Sequence, residues 1–237
     1  MKKYYRIAGL TVEMDTFGKT LARAEAYAIP SVEKADVRIV TRWQEFRDKN
    51  PELTEDACEY MFSGAEFYKH LITFEGMMLH SSAVVADGRA YLFTAPSGTG
   101  KSTHTALWLR VLGERAFILN DDKPAIRWED GAFYAYGTPW SGKDDHSVNC
   151  RVPLGGICVL SRGEENRMER IYGKDALVGI FSQTLRPKSK GHLDKLLVLM
   201  ERLIETVPVW HLSCNMDPEA ARVSFGAMSG EQKEEKK

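Results

Sequence analysis

A lysine and a serine stand together at the end of a glycine-containing segment, residues 95–102, which reads APSGTGKS. An apolar run precedes this segment, and a run with the spacing of a helix, residues 103–112, follows it. Gly98 and Gly100 allow the backbone N–H groups to point at phosphate oxygens, and the helix directs its positive end at the same anion. This layout is typical of a phosphate-binding P-loop. The segment is therefore predicted to bind the phosphates of a nucleotide.

The side chains of the segment have separate expected roles. Lys101 would place its charge on the terminal phosphates of ATP, and the hydroxyl of Ser102 would bind the accompanying Mg²⁺. At one position the segment departs from the usual pattern, because Ala95 stands where the first glycine is normally found. Alanine tolerates fewer backbone torsions than glycine, so we expect the start of the loop to differ in shape. The residues predicted to bind nucleotide are Ser97, Gly98, Thr99, Gly100, Lys101, Ser102 and Thr103.

Two adjacent aspartates, Asp121 and Asp122, follow a short apolar run, residues 116–119, downstream of the P-loop helix. A P-loop site needs a carboxylate at such a position to hold Mg²⁺, and a second carboxylate can accept a proton from an attacking hydroxyl. Both are therefore candidate catalytic residues together with Lys101, and Asp121 with Ser102 is a candidate metal site. Two exposed acids in a turn are the alternative, and which aspartate would act as the base stays open.

Other chemistry-bearing residues give weaker signals. The loop at residues 137–149 contains Trp140, Lys143 and His146, and suits either a mobile clamp over phosphate or a surface loop tethered by its tryptophan. His104 is expected on the surface of the P-loop helix. Five arginines are candidates for stabilising transition-state charge. Arg151 and Arg186 are preferred over Arg110, Arg127 and Arg162.

Composition narrows the class of protein. The chain has 237 residues, of which 43 % are apolar, and a formal net charge of −1, so we expect a packed core and no broad nucleic-acid-binding face. No apolar stretch is long enough to span a membrane, and no signal peptide is evident, so no membrane partner is expected. Four scattered cysteines without metal-site spacing are typical of buried, reduced thiols in a cytoplasmic protein.

The pattern of apolar residues places these motifs on an α/β fold. Residues 4–14 are predicted as a strand with a break at Gly9, and residues 56–73 fit either a strand or a helix. Asp-Gly pairs between apolar runs predict two hairpins, with turns at residues 87–88 and 130–131. The last third is more helical, with helices expected over residues 174–185, 192–207 and 217–228.

The domain organisation is predicted from the same pattern. Residues 1–75 carry no chemical motif and are interpreted as a β-rich lead-in subdomain. Residues 76–228 would form the P-loop domain. Residues 229–237, SGEQKEEKK, are expected to be a disordered tail because they lack apolar residues.

Residues 79–103, LHSSAVVADGRAYLFTAPSGTGKST, and residues 119–124, LNDDKP, resemble the HPr kinase/phosphorylase C-terminal domain family. That family belongs to a wider group that includes ATP-dependent phosphoenolpyruvate carboxykinase, and the firm match covers residues 77–125. The resemblance implies a mixed, curved sheet with hairpins among parallel strands and flanking helices. It also implies a Mg²⁺-dependent kinase that acts on a serine hydroxyl. It adds His80, described in the family as lying in a strand, to the site residues Lys101, Ser102, Asp121 and Asp122.

Some segments depart from the family. Residues 137–143, GTPWSGK, and 210–221, WHLSCNMDPEAA, look like a separate branch of P-loop kinase-like proteins that includes peptide-modifying kinases. The expected function is therefore Mg-ATP-dependent transfer of the γ-phosphoryl group to a hydroxyl of an unidentified peptide, protein or small molecule, and not to HPr.

Two other functions stay open. A carboxykinase-like enzyme acting on a small oxo-acid would need clustered arginines, whereas those of this sequence are scattered. A non-catalytic nucleotide-binding regulatory module would keep Lys101 and Ser102 without needing both aspartates. The sequence also leaves open whether the chain forms a homo-oligomer.

Overall fold

The structure, a computed structural model, describes residues 3–230. Of the predicted disordered tail, residues 229–237, Ser229 is the last residue of a helix, so its assignment to the tail is wrong, and residues 231–237 lie outside the described residues. The strands are β1 (Lys3–Ile7), β2 (Leu10–Met14), β3 (Ala28–Ile29), β4 (Val37–Ile39), β5 (Gly76–Met78), β6 (Ser81–Ala86), β7 (Arg89–Thr94), β8 (Ala116–Asn120), β9 (Ala125–Glu129), β10 (Ala132–Tyr136), β11 (Arg151–Arg162), β12 (Arg167–Arg170) and β13 (Val209–Cys214). The α-helices are α1 (Gly18–Ala24), α2 (Trp43–Asp48), α3 (Glu55–Leu71), α4 (Lys101–Leu112), α5 (Gly173–Phe181), α6 (Lys190–Thr206) and α7 (Pro218–Ser229).

The larger sheet is mixed and carries the predicted site. Its strands follow the order β5-β9-β10-β11-β7-β6-β8, and β13 and β12 continue it from β11. β11 runs parallel to both β7 and β13, whereas β6 pairs antiparallel with β7 and β8. The carboxyl ends of β7, β8 and β11 therefore lie at one edge of the sheet, where the start of β6 also lies.

Both Asp-Gly hairpins form as predicted. β6 and β7 are joined at Asp87-Gly88, and β9 and β10 at Asp130-Gly131, with positive φ at all four residues. Such torsions are required by the two-residue turns whose twist matches that of the flanking strands. The break expected in residues 4–14 is also confirmed, because β1 and β2 form a hairpin.

The run before the first hairpin is not one strand. It is divided into β5, which pairs with β9, and β6, which pairs with β7 and β8. His80 lies between the two strands, so its placement in a strand is wrong. The backbone N–H of His80 donates to the carbonyl of Gln183 at 2.9 Å, just beyond α5, which separates the residue from the sheet ladder.

The ambiguous segment at residues 56–73 is helical. α3 begins after Thr54, whose side chain accepts a hydrogen bond from the N–H of Ala57 at 3.2 Å, and this bond satisfies a donor at the start of the helix. Both faces of the larger sheet are covered by apolar residues, with α5 and α6 on one face and α4 and α7 on the other. The edge that carries the P-loop stays accessible between these layers.

The first third of the chain forms a second, four-stranded sheet of order β3-β1-β2-β4. Its apolar core is shared with the rest of the chain. Tyr5, Phe67 and Tyr68 are buried in one cluster with Tyr136, which ends β10, and Trp140, which lies in the loop after it. This shared packing holds the loop that follows β10. The predicted division of the chain after residue 75 stays a prediction.

Candidate active site

The segment predicted to be a P-loop, residues 95–102 and called the P-loop below, connects β7 to α4, the strand, loop and helix layout that the sequence predicts. β7 ends at Thr94 and α4 begins at Lys101. Gly98 has φ 78° and Gly100 has φ 121°, torsions that favour glycine, although a Cβ atom at either position would meet nothing within 4 Å. Backbone conformation, and not space, therefore requires these two glycines.

Ala95, the departure from the usual P-loop pattern, is accommodated without strain. It is 1 % exposed, and it is absent from the described residues that have positive φ. Because its backbone does not enter the left-handed region, no glycine is required there. The alanine instead contributes its methyl group to the apolar cluster beneath α4 and α7.

The ammonium group of Lys101 lies over the loop. Its Nζ donates to the carbonyl of Ala95 at 3.0 Å and lies 3.5 Å from that of Pro96. Burial lowers the pKa of Lys101, while the nearby charges of Asp122 and Asp121 act in the opposite direction. Ser102 lies on the exposed surface of the first turn of α4. The lysine thus stands between the P-loop and both aspartates.

Asp121 is linked to the P-loop helix through two hydroxyl groups. The hydroxyl of Ser82, in β6, donates to the carboxylate of Asp121 and lies 2.8 Å from the hydroxyl of Thr105, in α4. The N–H of Asp121 donates to the carbonyl of His146 at 3.1 Å. The position of this carboxylate is therefore set by a strand, a helix and a loop together.

Asp122 faces two cationic or potentially cationic groups. Nε2 of His80 lies 3.3 Å from Oδ1 of Asp122, and Nζ of Lys123 pairs with Oδ2. Burial alone would raise the pKa of Asp122, but the hydrogen bonds from His80 and Lys123 outweigh it, so the pKa is lowered. Asp122 is consequently a carboxylate at neutral pH.

The ring of His80 is held from both sides. Its Nδ1 lies 3.2 Å from Oε1 of Gln183, and its Nε2 faces Asp122. The turn that presents the aspartates is fixed by Asn120, whose Oδ1 accepts from the N–H groups of Asp122 and Lys123 at 3.0 and 2.8 Å. The structure thus brings Lys101, His80 and both aspartates to one edge of the sheet.

The preferred arginines are not the ones at the P-loop. Arg151 begins β11, at the end remote from the P-loop, and pairs with Glu129 at 3.3 Å. Arg162 ends the same strand, and its guanidinium donates to the carbonyls of Gly98 and Thr99, in the latter case at 3.3 Å. A position at the carboxyl end of a strand parallel to β7 was the only signal in the sequence that favoured Arg162. Arg186 lies on the surface beyond α5.

His104 is buried, so its expected place on the helix surface is wrong. It is 3 % exposed, and its Nε2 lies 2.9 Å from the hydroxyl of Ser224 in α7. Burial lowers the pKa of His104 to about 4. Because the Nε1–H of Trp108 donates to the same hydroxyl at 2.8 Å, these three residues join α4 to α7. The histidine has a structural role.

The loop at residues 137–149 is anchored at its start. Trp140 is fully buried, stacks on Phe67 with ring centroids 5.0 Å apart, and donates to the hydroxyl of Ser63 at 3.1 Å. Lys143 is exposed, as is Asp144 beside it. The tethering tryptophan is therefore confirmed, whereas the role of this loop as a mobile clamp stays a prediction.

Sequence reasoning missed the residues of the first third of the chain that hold this loop. Nη2 of Arg23 donates to the carbonyl of Gly142 at 2.6 Å, and the hydroxyl of Tyr60 accepts from the N–H of Gly142 at 3.0 Å. The hydroxyl of Tyr27 lies 2.7 Å from that of Ser147. These contacts join residues about 80 to 120 positions apart, and no motif in the sequence indicates them.

A cavity of about 430 Å³ adjoins the P-loop. It lies between Gly98–Gly100 on one side and the ends of β11 and β13 on the other, where Leu107, Leu160 and Met216 supply apolar surface. It is large enough for a nucleoside, because ligand pockets usually have several hundred cubic ångströms.

A magnesium ion would depend on the nucleotide for most of its ligands. Among residues 3–230, no three His, Cys, Asp or Glu side chains are grouped so that they could hold a metal ion. The hydroxyl of Ser102 and the carboxylate of Asp121 suit a hard cation that keeps several waters and phosphate oxygens as ligands. The residues present therefore fit a Mg²⁺ that arrives with ATP. No helix in the same range is long and apolar enough to cross a membrane.

The chain was compared with known families, curated proteins and solved structures. No protein-family model matches it, and no curated protein matches it. Among solved structures, it is similar to the Hpr(Ser) kinase/phosphatase from Coxiella burnetii, with 16 % sequence identity and a TM-score of 0.37. That alignment covers 65 % of this chain and 98 % of the other. A functional assignment therefore rests on the geometry of the site.

Proposed function

We propose that this protein is a Mg-ATP-dependent phosphotransferase that transfers the γ-phosphoryl group to a hydroxyl of a peptide, protein or small molecule. One observation carries the proposal: the predicted P-loop lysine stands at the same edge of the sheet as two adjacent aspartates, of which Asp122 pairs with His80. A nucleotide-binding module without catalysis would need the lysine but not a second, oriented carboxylate. The pairing of Asp122 with His80 thus favours phosphoryl transfer.

Each residue has a role in this reaction. The P-loop N–H groups and Lys101 bind the β- and γ-phosphates and hold the γ-phosphorus in line with the acceptor. Asp121 and Ser102 would hold Mg²⁺, which would supply neutralisation of charge on the phosphate oxygens. Asp121 is assigned to the metal because Ser82 and Thr105 connect it to the helix that bears Ser102.

Asp122 is assigned as the base. The acceptor oxygen forms a bond to the γ-phosphorus, the bond between that phosphorus and the ADP oxygen breaks, and the acceptor proton passes to the Asp122 carboxylate. His80 orients this carboxylate through its Nε2. The lowered pKa of Asp122 keeps it in the charged form that can accept a proton at neutral pH.

The cavity beside the P-loop supports a nucleotide as the phosphoryl donor. In this proposal the phosphates occupy the P-loop, and the adenosine extends into the cavity near Leu160 and Met216. Arg162 then holds the P-loop carbonyls at the boundary between the two parts of the nucleotide.

The test is to find where the γ-phosphate goes. Purified protein, Mg²⁺ and γ-labelled ATP are added to a cell lysate, which is then separated into macromolecules and small molecules. We expect label on one acceptor, identified by mass, with wild-type protein and none with Lys101→Ala. The absence of lysine-dependent label, although MgATP binds, would contradict phosphoryl transfer and favour a regulatory module or a carboxykinase-like enzyme.

A further inference from the structure

A buried arginine from the first third of the chain, Arg23, borders the proposed catalytic edge. It is 7 % exposed, and its Cζ lies 5.3 Å from the centroid of the Tyr60 ring. Nζ of Lys123 lies at the same distance from that centroid and pairs with Asp122. Arg23 and the proposed base are thus separated by little more than one aromatic ring.

The guanidinium of Arg23 is only partly satisfied. Nη2 donates to the carbonyl of Gly142, but Nε and Nη1 have no hydrogen-bond partner within residues 3–230. Nε lies 2.8 Å from Oδ1 of Asp145, so the charges are paired, although the geometry does not make a hydrogen bond. The buried charge of Arg23 therefore has one carboxylate at Nε and no partner at Nη1, and a second carboxylate could take the place of the first because N–H···O bonds to an ionised group are strong.

Asp145 is loosely seated on this cation. Its side chain is 56 % exposed, whereas that of Arg23 is 3 % exposed. Its backbone is left-handed, with φ 57°, a region that non-glycine residues seldom occupy. The only other bond to its carboxylate among the described contacts comes from the hydroxyl of Ser141, at 2.8 Å. Its carboxylate can therefore turn towards solvent, but this leaves the buried Arg23 and Ser141 without their partner unless another anion takes its place.

We propose that Arg23 binds a carboxylate of the phosphoryl acceptor, and that Asp145 occupies this position in the free protein. The inference rests on the proposed phosphotransferase function and adds a substrate class to it: an acceptor that bears both a hydroxyl and a carboxylate. Arg23 and Lys123 each lie 5.3 Å from the centroid of the Tyr60 ring, and about three residues of extended chain would span the distance between them. The hydroxyl and the carboxylate of the acceptor therefore belong to one small molecule or one short peptide segment.

The exchange of one carboxylate for another explains why a cation is placed here. At every stage the buried charge of Arg23 has an anionic partner, so acceptor binding does not leave it uncompensated. A neutral acceptor that displaced Asp145 would leave the guanidinium unpaired, which disfavours neutral molecules at this position. The same residue thus selects the acceptor and holds its hydroxyl near Asp122.

The test measures the binding of a carboxylate to Arg23 in the absence of nucleotide. The protein carries ¹⁵N-labelled arginine, and the Nε–H resonance of Arg23 is assigned by its loss in Arg23→Lys. N-Acetyl-L-serine is titrated as the carboxylate probe, with N-acetyl-L-serinamide as the neutral probe. We expect N-acetylserine to shift the Arg23 resonance, and Asp145→Asn to bind it about tenfold more tightly than wild type.

The control variant is Asp144→Asn, which removes the same charge from the neighbouring exposed residue. It should bind N-acetylserine as wild type does. Equal tightening in both aspartate variants, a shift of the Arg23 resonance by N-acetylserinamide, or an unmoved resonance in Asp145→Asn would each overturn the proposal. Asp145→Asn leaves the buried Arg23 without its anionic partner, so circular dichroism first checks that this variant is folded. Titration of the wild-type protein with the two probes tests the proposal even if a variant does not fold.

The two proposals fail separately. MgATP binding and its loss in Lys101→Ala are measured in samples without N-acetylserine. If MgATP does not bind, or binds equally to Lys101→Ala, the phosphotransferase function is overturned. If the Arg23 resonance does not respond to the carboxylate probe, only the acceptor class is overturned.

Discussion

At the scale of residues, function and stability depend on the partners that surround each buried polar group. Asp122 is held by His80 and Lys123, and both bonds favour its charged form. His104 is also buried, but its surroundings are apolar side chains and one hydroxyl, which favour its neutral form. Burial favours the neutral form of both groups, and only for Asp122 do its partners outweigh burial, so each makes a separate prediction.

Asp122→Asn should lower kcat by roughly 10²- to 10⁴-fold, because an amide has the shape of the carboxylate but cannot take up the acceptor proton. The affinity for MgATP should change little, since Lys101 and the P-loop are intact. Label transfer and nucleotide binding measure the two quantities. Asp48→Asn, on the exposed surface of α2, is the control. A variant with wild-type turnover would rule out Asp122 as the base.

Acid should destabilise the fold through His104. Its pKa is about 4 in the folded chain against an ordinary value of 6.5, so the unfolded chain binds the proton first as pH falls. This contribution to the free energy of unfolding is complete above pH 6.5 and is lost towards pH 4, by about 3 kcal/mol. Urea denaturation at several pH values measures it.

His104→Leu is the matched variant for that experiment. Carboxyl groups such as Glu59, whose pKa burial raises, also change the stability in acid, but they are present in both proteins. We expect the difference in unfolding free energy between wild type and variant to shrink as pH falls from 6.5 to 4. A difference that is constant over this range would show that His104 is not buried in its neutral form.

At the scale of elements, α3 positions the site by its contact with the loop at residues 137–149. Gly64 of α3 faces Trp140 so closely that a Cβ atom would lie 2.9 Å from Cδ1 of the indole. A Cβ atom added to Gly191, near the start of α6, would meet nothing within 4 Å. Both glycines are helical, and they differ in the free space around the added Cβ atom.

Gly64→Ala should destabilise the protein by about 1–3 kcal/mol, because Trp140 and the loop must move. Gly191→Ala should leave the unfolding free energy unchanged or raise it by up to about 1 kcal/mol, since alanine favours helices. Chemical denaturation followed by tryptophan fluorescence compares them. If the two substitutions had the same effect, the close packing of α3 on Trp140 would be refuted.

At the scale of the whole molecule, the first third of the chain is part of the machinery that surrounds the site. It supplies Tyr5, Phe67 and Tyr68 to the cluster that buries Trp140, and it supplies Arg23 and Tyr60 to the loop near Asp122. The two sheets consequently share apolar contacts. Their unfolding is expected to be coupled.

A chain shortened to residues 76–237 should lose cooperative unfolding, because Trp140 and Tyr136 would be exposed to water. Thermal denaturation followed by near-UV circular dichroism, with dye binding to exposed apolar surface, measures this change. The full chain should give one transition. A shortened chain that unfolds cooperatively and binds MgATP would show that residues 1–75 are dispensable for the fold.

The sequence by itself determined the local parts of this protein. The strand, loop and helix of the segment predicted to be a P-loop, the two Asp-Gly hairpins and the end of α6 before Pro208 depend on residues that are close in sequence, where torsional preference and spacing suffice. Ambiguity began where a segment such as residues 56–73 had no decisive period. Its helical state is fixed by Thr54 and by burial against another part of the chain.

Only the tertiary structure decided which distant groups meet. His80 lies outside a strand and bonds to Asp122, His104 is buried against α7, and Arg162 reaches the P-loop in place of Arg151. Arg23 contacts a loop 119 positions away, which no local pattern records. Burial and pairing depend on all the elements packed around a side chain, so the charge state and the partners of these residues follow from the folded chain alone.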